Sequence, residues 1–365
     1  MKARVIAMYL PQYHPIPEND RSWGPGFTEW RNVVQAKPLF KGHYQPHLPA
    51  DLGFYDLRVP ETRQAQADLA REAGVEGFMY WHYWLGNGRM LLERPFQEVL
   101  KSGHPDFPFC LGWANHSWTT KTWTKGAALS KDTMIMEQQY PGEEDYINHF
   151  NYVLPAFNDK RYITVDGKPI FVVYNPITMP DMKNFILLWR RLAAEAGLPG
   201  IHFVGLRSGR ESSIEDVKAM GFDAINERNM WDAEAKIAGS RSRRRLQSLL
   251  SLKLGVKLTK YEYKDIVKHI NNENCLREDV YPTILPGYDR TARAGRQAVI
   301  YHNATPEYFR EHVRDTFEYV KDKTDEHKIV FLKSWNEWGE GNYMEPDLKY
   351  GHKFLDALKA ELGYD

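Results

Sequence analysis

Near its carboxyl terminus the chain reads Ile329-Val330-Phe331-Leu332-Lys333-Ser334-Trp335-Asn336-Glu337-Trp338-Gly339-Glu340-Gly341. The apolar residues at its start predict a strand that is covered on both faces, which is typical of a parallel sheet. The aromatic, amide and acidic residues that follow predict a loop at the carboxyl end of that strand. Parallel strands bring such loops together at one edge of a sheet, so this stretch predicts both an architecture and the position of a site.

Earlier segments of the chain show the same change from an apolar run to polar loop residues. The sequence predicts eight strands: Val5–Tyr9, Gly77–Trp81, Phe109–Trp113, Ile170–Tyr174, Ile201–Leu206, Ala224–Asn226, Thr283–Leu285 and Ile329–Lys333. Helical patterns separate most of them: Glu61–Ala73, Leu91–Ser102, Glu143–Phe157, Met182–Ala196, Ile214–Met220, Pro306–Lys321 and, last, Lys353–Leu362. Strands that alternate with helices form parallel βαβ units. Eight units in 365 residues predict one α/β domain, a (β/α)8 TIM barrel over residues 1–365.

One connection, residues 231–280, is too long for an ordinary link between strands six and seven. Between Lys236 and Lys260 there are eight basic residues and no acidic ones. Interspersed leucines predict a helical basic insertion. This 236–260 segment could contact anionic lipid head groups or a lipid-linked glycan at a membrane surface. Alternatively, it could be a solvated basic helix that packs on the edge of the barrel.

The overall charge and the cysteines exclude several classes of protein. Lys plus Arg and Asp plus Glu both number 48, so no net field favours nucleic acid. The two cysteines, Cys110 and Cys275, fit neither a disulfide framework nor a zinc motif. We therefore predict no metal and no cofactor. The apolar run that begins at Val5 is broken at Pro11 and is too short for a signal peptide, which predicts a cytoplasmic protein.

Large aromatic residues are concentrated at the predicted strand ends. Trp, Tyr and Phe make up 13% of the chain, and flat aromatic faces beside amides suit the apolar faces and polar rims of sugars. The alternative is that these rings simply fill a core. The predicted sugar-binding residues follow from their positions after the strands. They are Tyr13, His14, Trp81, His82, Tyr83, Trp113, Asn115, His116, Tyr174, Tyr288, Trp335, Asn336 and Trp338.

The sharpest signal is the pair of carboxylates after the last strand, Glu337 and Glu340. Glycosidic bond chemistry needs a proton donor at the leaving oxygen and a second carboxylate on the sugar side. Two neighbouring carboxyl groups separate their pKa values, so that one can hold a proton near neutral pH. The alternative is structural, because glutamate is favoured in the first turn of a helix.

Several long motifs resemble the WbsX-like family of polysaccharide-locus proteins. The resemblance is carried by Tyr9–Asn19, Trp23–Trp30, Gln45–Pro49 and Asp51–Arg58, and by the residues given next. These are Gly77–Trp84, Trp113–Asn115, Trp335–Glu340, Asn342–Tyr343 and Glu345–Asp347. The motifs span nearly the whole chain, and the basic segment between strands six and seven matches least.

That family is more distantly similar to the family-99 glycoside hydrolases, which are endo-α-mannosidases with (β/α)8 barrels. The resemblance implies that Glu337 deprotonates the 2-hydroxyl of the sugar and that Glu340 is the general acid/base. It also implies retention of configuration through a 1,2-anhydro sugar, and a position for Tyr288 near Glu337. Secreted hydrolases of that family carry export signals, which this chain lacks, so a catabolic extracellular role is not expected.

Three functions are consistent with the sequence. The first is a retaining glycosidase or transglycosylase that acts on α-linked, mannose-like glycans of a cell-surface polysaccharide or its precursor. The second is a glycosyltransferase of O-antigen or capsule assembly, although the chain has no Asp-x-Asp metal site or glycine-rich phosphate loop. The third is a non-catalytic barrel that binds glycans.

Overall fold

The computed structural model describes residues 2–119, 133–208, 212–238 and 259–363, and it confirms the barrel. The strands are β1 (Arg4–Tyr9), β2 (Gly77–Trp84), β3 (Phe109–Trp113), β4 (Lys168–Val173), β5 (His202–Arg207), β6 (Ala224–Glu227), β7 (Val280–Tyr281 and Thr283–Ile284) and β8 (Ile329–Leu332). They pair in parallel in chain order, and β8 pairs with β1. Their runs are almost wholly buried, as expected for strands covered on both faces.

The seventh strand closes the ring in two halves. Val280–Tyr281 pairs with β6, and Thr283–Ile284 pairs with β8. Pro282 separates them because its nitrogen has no hydrogen to donate to a neighbouring strand. Its carbonyl still accepts from the Phe331 N–H at 3.0 Å. The sequence predicted only the second half of this strand, as part of Thr283–Leu285.

Helices cover the outside of the barrel close to the predicted bounds. The α-helices are Pro17–Trp23, Trp30–Val34, Pro60–Glu72, Arg94–Ser102, Glu143–Phe157, Met182–Glu195, Ile214–Ala219, Met230–Ala238, Tyr263–Ile266, Thr291–Ala294, Pro306–Glu318 and Lys353–Leu362. Met182–Glu195 shows why they form. It buries Phe185, Ile186, Trp189 and Ala193 along one stripe with helical spacing.

Short elements decorate the loops of the barrel. The 3-10 turns are Pro176–Thr178, Val267–His269, Glu273–Leu276, Gly295–Gln297, Asp325–His327 and Trp338–Glu340. The short strands are Met90–Leu91, Trp118–Thr119, Met134–Met136, Thr164–Val165, Thr259–Glu262, Tyr288–Asp289, Val299–His302, Asn336–Glu337 and Asn342–Tyr343. Three of them form a small sheet in which Val299–His302 pairs with both Thr259–Glu262 and Tyr288–Asp289.

The predicted basic insertion is only partly within the described residues. Helix Met230–Ala238 begins it, and strand Thr259–Glu262 resumes it. Residues 239–258, which carry most of the basic side chains of the 236–260 segment, lie outside the described residues. Within the described part of the chain, no helix is long and apolar enough to cross a membrane.

Candidate active site

A cavity of about 300 Å³ opens at the carboxyl ends of the barrel strands. Its lining comes from residues at or after seven of the eight strands. They are Met8, Leu10, Gln12, Trp81, Tyr83, Ala114, His116, Trp118, Tyr174, Arg228, Arg290, Arg293, Lys333, Ser334, Glu337 and Glu340. Six of the predicted site residues are among them: Trp81, Tyr83, His116, Tyr174, Glu337 and Glu340. The structure therefore brings both glutamates into one cavity.

The turn after β8 is tied to the end of β1. The Trp335 N–H donates to the carbonyl of Met8 at 2.8 Å. The Asn336 side chain accepts from the Leu10 N–H at 2.8 Å and donates to the Leu10 carbonyl at 3.0 Å. Asn336 is fully buried. It is therefore a structural clamp that fixes where the two following glutamates begin.

The backbone of this turn also requires a glycine between the glutamates. Asn336–Glu337 pairs with Asn342–Tyr343, and Trp338–Glu340 forms a single 3-10 turn between them. A Cβ at Gly339 would lie 1.8 Å from the Glu29 carboxylate. The glycine lets the turn approach that buried carboxylate, and so brings Glu337 and Glu340 to the same side.

We expect Asn336→Ala to destabilise the protein by about 1–3 kcal/mol, because it leaves two buried backbone groups of Leu10 without partners. Urea unfolding of the variant measures the loss. Asn158→Ala is the matched control, since Asn158 makes an exposed hydrogen bond to the Leu154 carbonyl. Equal stability of the two variants would contradict the clamp.

A single buried arginine links the two glutamates. Arg293 Nη2 lies 2.9 Å from Glu337 Oε2, and Nη1 lies 2.8 Å from Glu340 Oε1. The same guanidinium also bonds to Glu29, whose carboxylate lies behind the turn and accepts from Gln12. Three carboxylates thus share one guanidinium, which fixes the separation of the catalytic candidates.

The cations are distributed unequally between the two glutamates. Besides Arg293, Glu340 has Lys333 Nζ at 3.2 Å and Arg290 Nε at 3.4 Å. Burial alone would raise the pKa of Glu340, but Lys333, Arg293 and Arg290 outweigh it and hold that pKa well below its ordinary value. Burial is also the largest influence on Glu337, and it raises the pKa to about 7 despite Arg293. In the free protein Glu337 is therefore the group that can hold a proton near neutral pH.

Aromatic rings form the wall at the ends of β2 to β4. Trp81 meets Tyr174 edge to face with ring centroids 5.5 Å apart, and His116 lies 5.1 Å from Tyr174. Tyr83 packs against Trp118 at 5.1 Å. β4 lies opposite β8 in the order of the ring. Rings on one side and carboxylates on the other suit a sugar with one apolar face.

Four predicted sugar-binding residues belong to the turn after β8 or pack against it, and they do not line the cavity: Tyr13, Trp335, Asn336 and Trp338. The Trp338 ring stacks on Tyr343 with ring centroids 3.7 Å apart. The backbone N–H of Trp338 donates to the Tyr13 hydroxyl at 3.1 Å. Trp335 is fully buried. These side chains support the turn, as the alternative of a filled core anticipated.

Four others are buried among their own neighbours away from the cavity lining: His14, His82, Trp113 and Asn115. His82 Nε2 lies 2.9 Å from His149 Nε2, and the Trp113 indole donates to the Trp84 carbonyl at 2.8 Å. Asn115 accepts from the Asn175 N–H at 2.8 Å and donates to its carbonyl at 2.8 Å. These side chains therefore connect strands and loops within the protein.

The ninth, Tyr288, lines a separate cavity of about 70 Å³ with His43, His47 and Asp289. Lys333 Nζ lies 5.2 Å from the centre of the Tyr288 ring. Burial is the largest influence that raises the pKa of Tyr288, and the Glu340 carboxylate raises it further. Tyr288 therefore touches the site through Lys333.

Another buried carboxyl group supports the turn without lining the cavity. Glu345 accepts from the Trp338 indole at 2.6 Å, from Tyr55 at 2.8 Å and from Gln66 at 2.5 Å. Burial raises its pKa to about 7 although these hydrogen bonds oppose the shift. Glu345 titrates in the same range as Glu337, so any pH measurement has to separate the two.

The cationic residues of the cavity were not predicted from the sequence. Arg228 follows β6, Arg290 and Arg293 follow β7, and Lys333 follows β8. Their positions after strands could have predicted them, just as such positions predicted the aromatic residues. Glu227, also at the end of β6, is instead fully buried and accepts from Asn229 at 2.8 Å and Asn272 at 2.9 Å.

The α/β barrel, with two glutamates at the carboxyl ends of its strands, has a glycoside-hydrolase-like fold. The chain belongs to the glycosyltransferase WbsX family, whose model matches residues 5–358. It is 33% identical to the uncharacterized protein WxcX of Xanthomonas campestris pv. campestris strain B100. That match covers 99% of this chain and 50% of the relative, so the chain spans about half the length of the curated relatives it matches.

Solved structures share the fold at low sequence identity. A glycoside hydrolase-like protein is 15% identical, covers 98% of this chain and 93% of its own, and has a TM-score of 0.61. The family-99 endo-α-mannosidase from Bacteroides thetaiotaomicron is 15% identical over 98% of this chain and 96% of its own, with a TM-score of 0.57. These similarities confirm the barrel architecture.

Proposed function

We propose that the chain is an enzyme that acts on α-glycosidic, mannose-like linkages of a cell-surface polysaccharide or its precursor, with retention of configuration. The observation that carries the proposal is the single cavity that holds Glu337 and Glu340 under one bridging arginine, opposite an aromatic wall. The family and the endo-α-mannosidase fold support a carbohydrate substrate.

The charges of the free protein favour Glu337 as the proton donor. Glu337 gives its proton to the leaving oxygen while the bond from that oxygen to the anomeric carbon breaks. Glu340 stays ionised, faces the positive charge that develops on the sugar, and takes the proton of the 2-hydroxyl as the 2-oxygen attacks the anomeric carbon. Water or an acceptor hydroxyl then attacks the anomeric carbon and gives its proton to Glu337. The bond from that carbon to the 2-oxygen breaks, and Glu340 returns its proton to the 2-oxygen. These roles are the reverse of those that the resemblance implies.

The cations around Glu340 also weaken it as a base. A carboxylate whose pKa is held low by three cations has a low affinity for a proton. We therefore expect the bound ligand to draw Lys333 or Arg290 away from Glu340 before the 2-hydroxyl is deprotonated. Lys333 already has a second contact, since its Nζ lies 3.2 Å from Glu340 and 5.2 Å from the centre of the Tyr288 ring.

We expect kcat/KM to fall as the pH rises through about 7, because the proton on Glu337 is lost there. A pH–rate profile measures this limb. Glu345→Gln should keep the limb, since Glu345 titrates in the same range but lies outside the cavity. A limb that disappears in Glu345→Gln would contradict the assignment to Glu337.

Sugar transfer is the second candidate function. The WbsX family description and the four cations of the cavity lining favour it, because a nucleotide-sugar donor carries phosphates. A contact of the 236–260 segment with a membrane or a lipid-linked acceptor would fit this function.

Product analysis separates the candidates. Purified protein is incubated with a fluorescently labelled α-linked manno-oligosaccharide, and in parallel with nucleotide sugars and a lipid-linked acceptor. Shortened or rearranged oligosaccharide of retained configuration supports the proposal. Release of nucleotide instead would establish the transferase. Measurable binding with no product in either reaction would leave a glycan-binding barrel.

A further inference from the structure

One buried arginine of the cavity pairs with no carboxylate of the described residues. Arg228 is 8% exposed, and its guanidinium carbon lies 4.9 Å from the centre of the Tyr174 ring. Its Nη2 donates to Ser208 Oγ at 3.3 Å, whereas its Nε is buried without an acceptor. Among the residues that the structure describes, no aspartate or glutamate pairs with Arg228.

The other cations of the cavity are balanced by carboxylates. Arg290, Arg293 and Lys333 form salt bridges, and their partners are Glu29, Glu337 and Glu340. Burial lowers the pKa of His116 to about 4, so this ring is neutral near pH 7. The positive charge of Arg228 is therefore left over, and a proton on Glu337 would increase the excess.

The position of this charge indicates what it is for. The Arg228 guanidinium packs over the ring of Tyr174, which follows β4. In the ring of strands β4 lies opposite β8, and the two glutamates follow β8. An unpaired buried charge is unfavourable unless a partner arrives. A guanidinium matches the oxygens of a carboxylate or a phosphate better than it matches a single hydroxyl.

We propose that Arg228 binds an oxyanion on the sugar ligand, so that the substrate is an anionic glycan rather than a neutral one. The anion is a carboxylate of an acidic sugar or a phosphate attached to a sugar. The ligand then lies between Arg228 and the glutamates, with its apolar face on the rings of Trp81 and Tyr174. This inference rests on the proposed function and specifies its substrate class.

Calorimetric binding of three probes tests the inference. They are methyl α-D-mannopyranoside, methyl α-D-mannopyranosiduronate and α-D-mannose 1-phosphate. We expect at least one anionic probe to bind the wild-type protein about tenfold or more tightly than the neutral probe. A charge-assisted hydrogen bond strengthens binding by at least about that factor. The probe with the greater preference identifies the source of the oxyanion.

Variants assign the preference to Arg228. Arg228→Met should bind all three probes alike, and Arg228→Lys should keep part of the preference because it keeps the charge. Arg277→Met is the matched control, since Arg277 is 39% exposed and pairs with Asp279 and Glu215. It should behave as the wild type does. A purely structural role of Arg228 would weaken all probes equally and would not remove the preference.

Three results would overturn the inference: equal binding of the neutral and anionic probes by the wild type, no anion binding, or a preference that survives Arg228→Met. Binding does not require turnover. The failure of this inference is therefore distinguishable from the failure of the proposed function, which is judged by product formation in the wild type and in the glutamate variants.

Discussion

Glu337→Gln and Glu340→Gln each lower turnover on an unactivated α-glycoside by about 10²- to 10⁴-fold, the usual contribution of a positioned acid or base. Each glutamine keeps the shape of the side chain but cannot exchange the proton. Both glutamates line one cavity and share Arg293, so neither can replace the other without moving the guanidinium. Steady-state kinetics on the labelled oligosaccharide measure the losses.

The two variants should differ on an activated substrate. A 2,4-dinitrophenyl glycoside needs little protonation of its leaving group, so Glu337→Gln should recover much of its rate there and Glu340→Gln should not. Glu215→Gln is the control, because it makes the same change at an exposed carboxylate that pairs with Arg277, and it should keep wild-type turnover. Recovery by Glu340→Gln alone would restore the roles that the resemblance implies. Wild-type turnover in both variants would remove the pair from the mechanism.

Arg293→Met has the largest expected effect on stability, a loss of about 3–5 kcal/mol in the free energy of unfolding, as for removal of one partner of a buried ion pair. Arg293 is 7% exposed and serves three carboxylates. Methionine fills similar volume without the charge. Urea unfolding measures the loss, and Arg310→Met, in an exposed pair with Glu361, should change stability little.

The loss should depend on pH in a definite direction. The folded-state pKa of Glu337 is raised above its unfolded value, so its contribution to stability is present at low pH and disappears as the pH rises through about 7. Removing Arg293 raises that pKa further, because Arg293 is the chief influence that lowers it. The variant should therefore lose more stability at about pH 8 than at about pH 5. A loss independent of pH would contradict the electrostatic role of Arg293.

The barrel was predictable because most of the buried strands contain a continuous apolar run. The strand from Phe109 to Trp113 and the helix from Glu143 to Phe157 have the predicted bounds. The first half of β7 was not predicted, since Val280–Tyr281 is too short for a periodic signal and is followed by Pro282. A proline within a run usually argues against a strand, and here it marks the change of partner from β6 to β8.

The pairing of the two glutamates was predictable because one loop contains both of them. Glu337 and Glu340 lie three residues apart in one turn, so their proximity could be read from the sequence. Arg293 lies in the short helix Thr291–Ala294, which packs against both Trp30–Val34 and Trp338–Glu340 only once the chain has folded. Position at a strand end also could not distinguish Tyr174, which lines the cavity, from Trp113, which is buried against His149 and Phe185 of the outer helices.

We expect Glu337 to hold a proton near neutral pH while Glu340, in the same cavity, stays ionised. A carbon-13 NMR titration of glutamate side-chain carboxyls tests it directly and needs no substrate, with signals assigned through Glu337→Gln, Glu340→Gln and Glu345→Gln. The Glu337 signal should titrate at about 7, and the Glu340 signal should stay that of a carboxylate down to at least about pH 4. Two signals that both titrate near the ordinary glutamate value, about 4.3, would contradict the account.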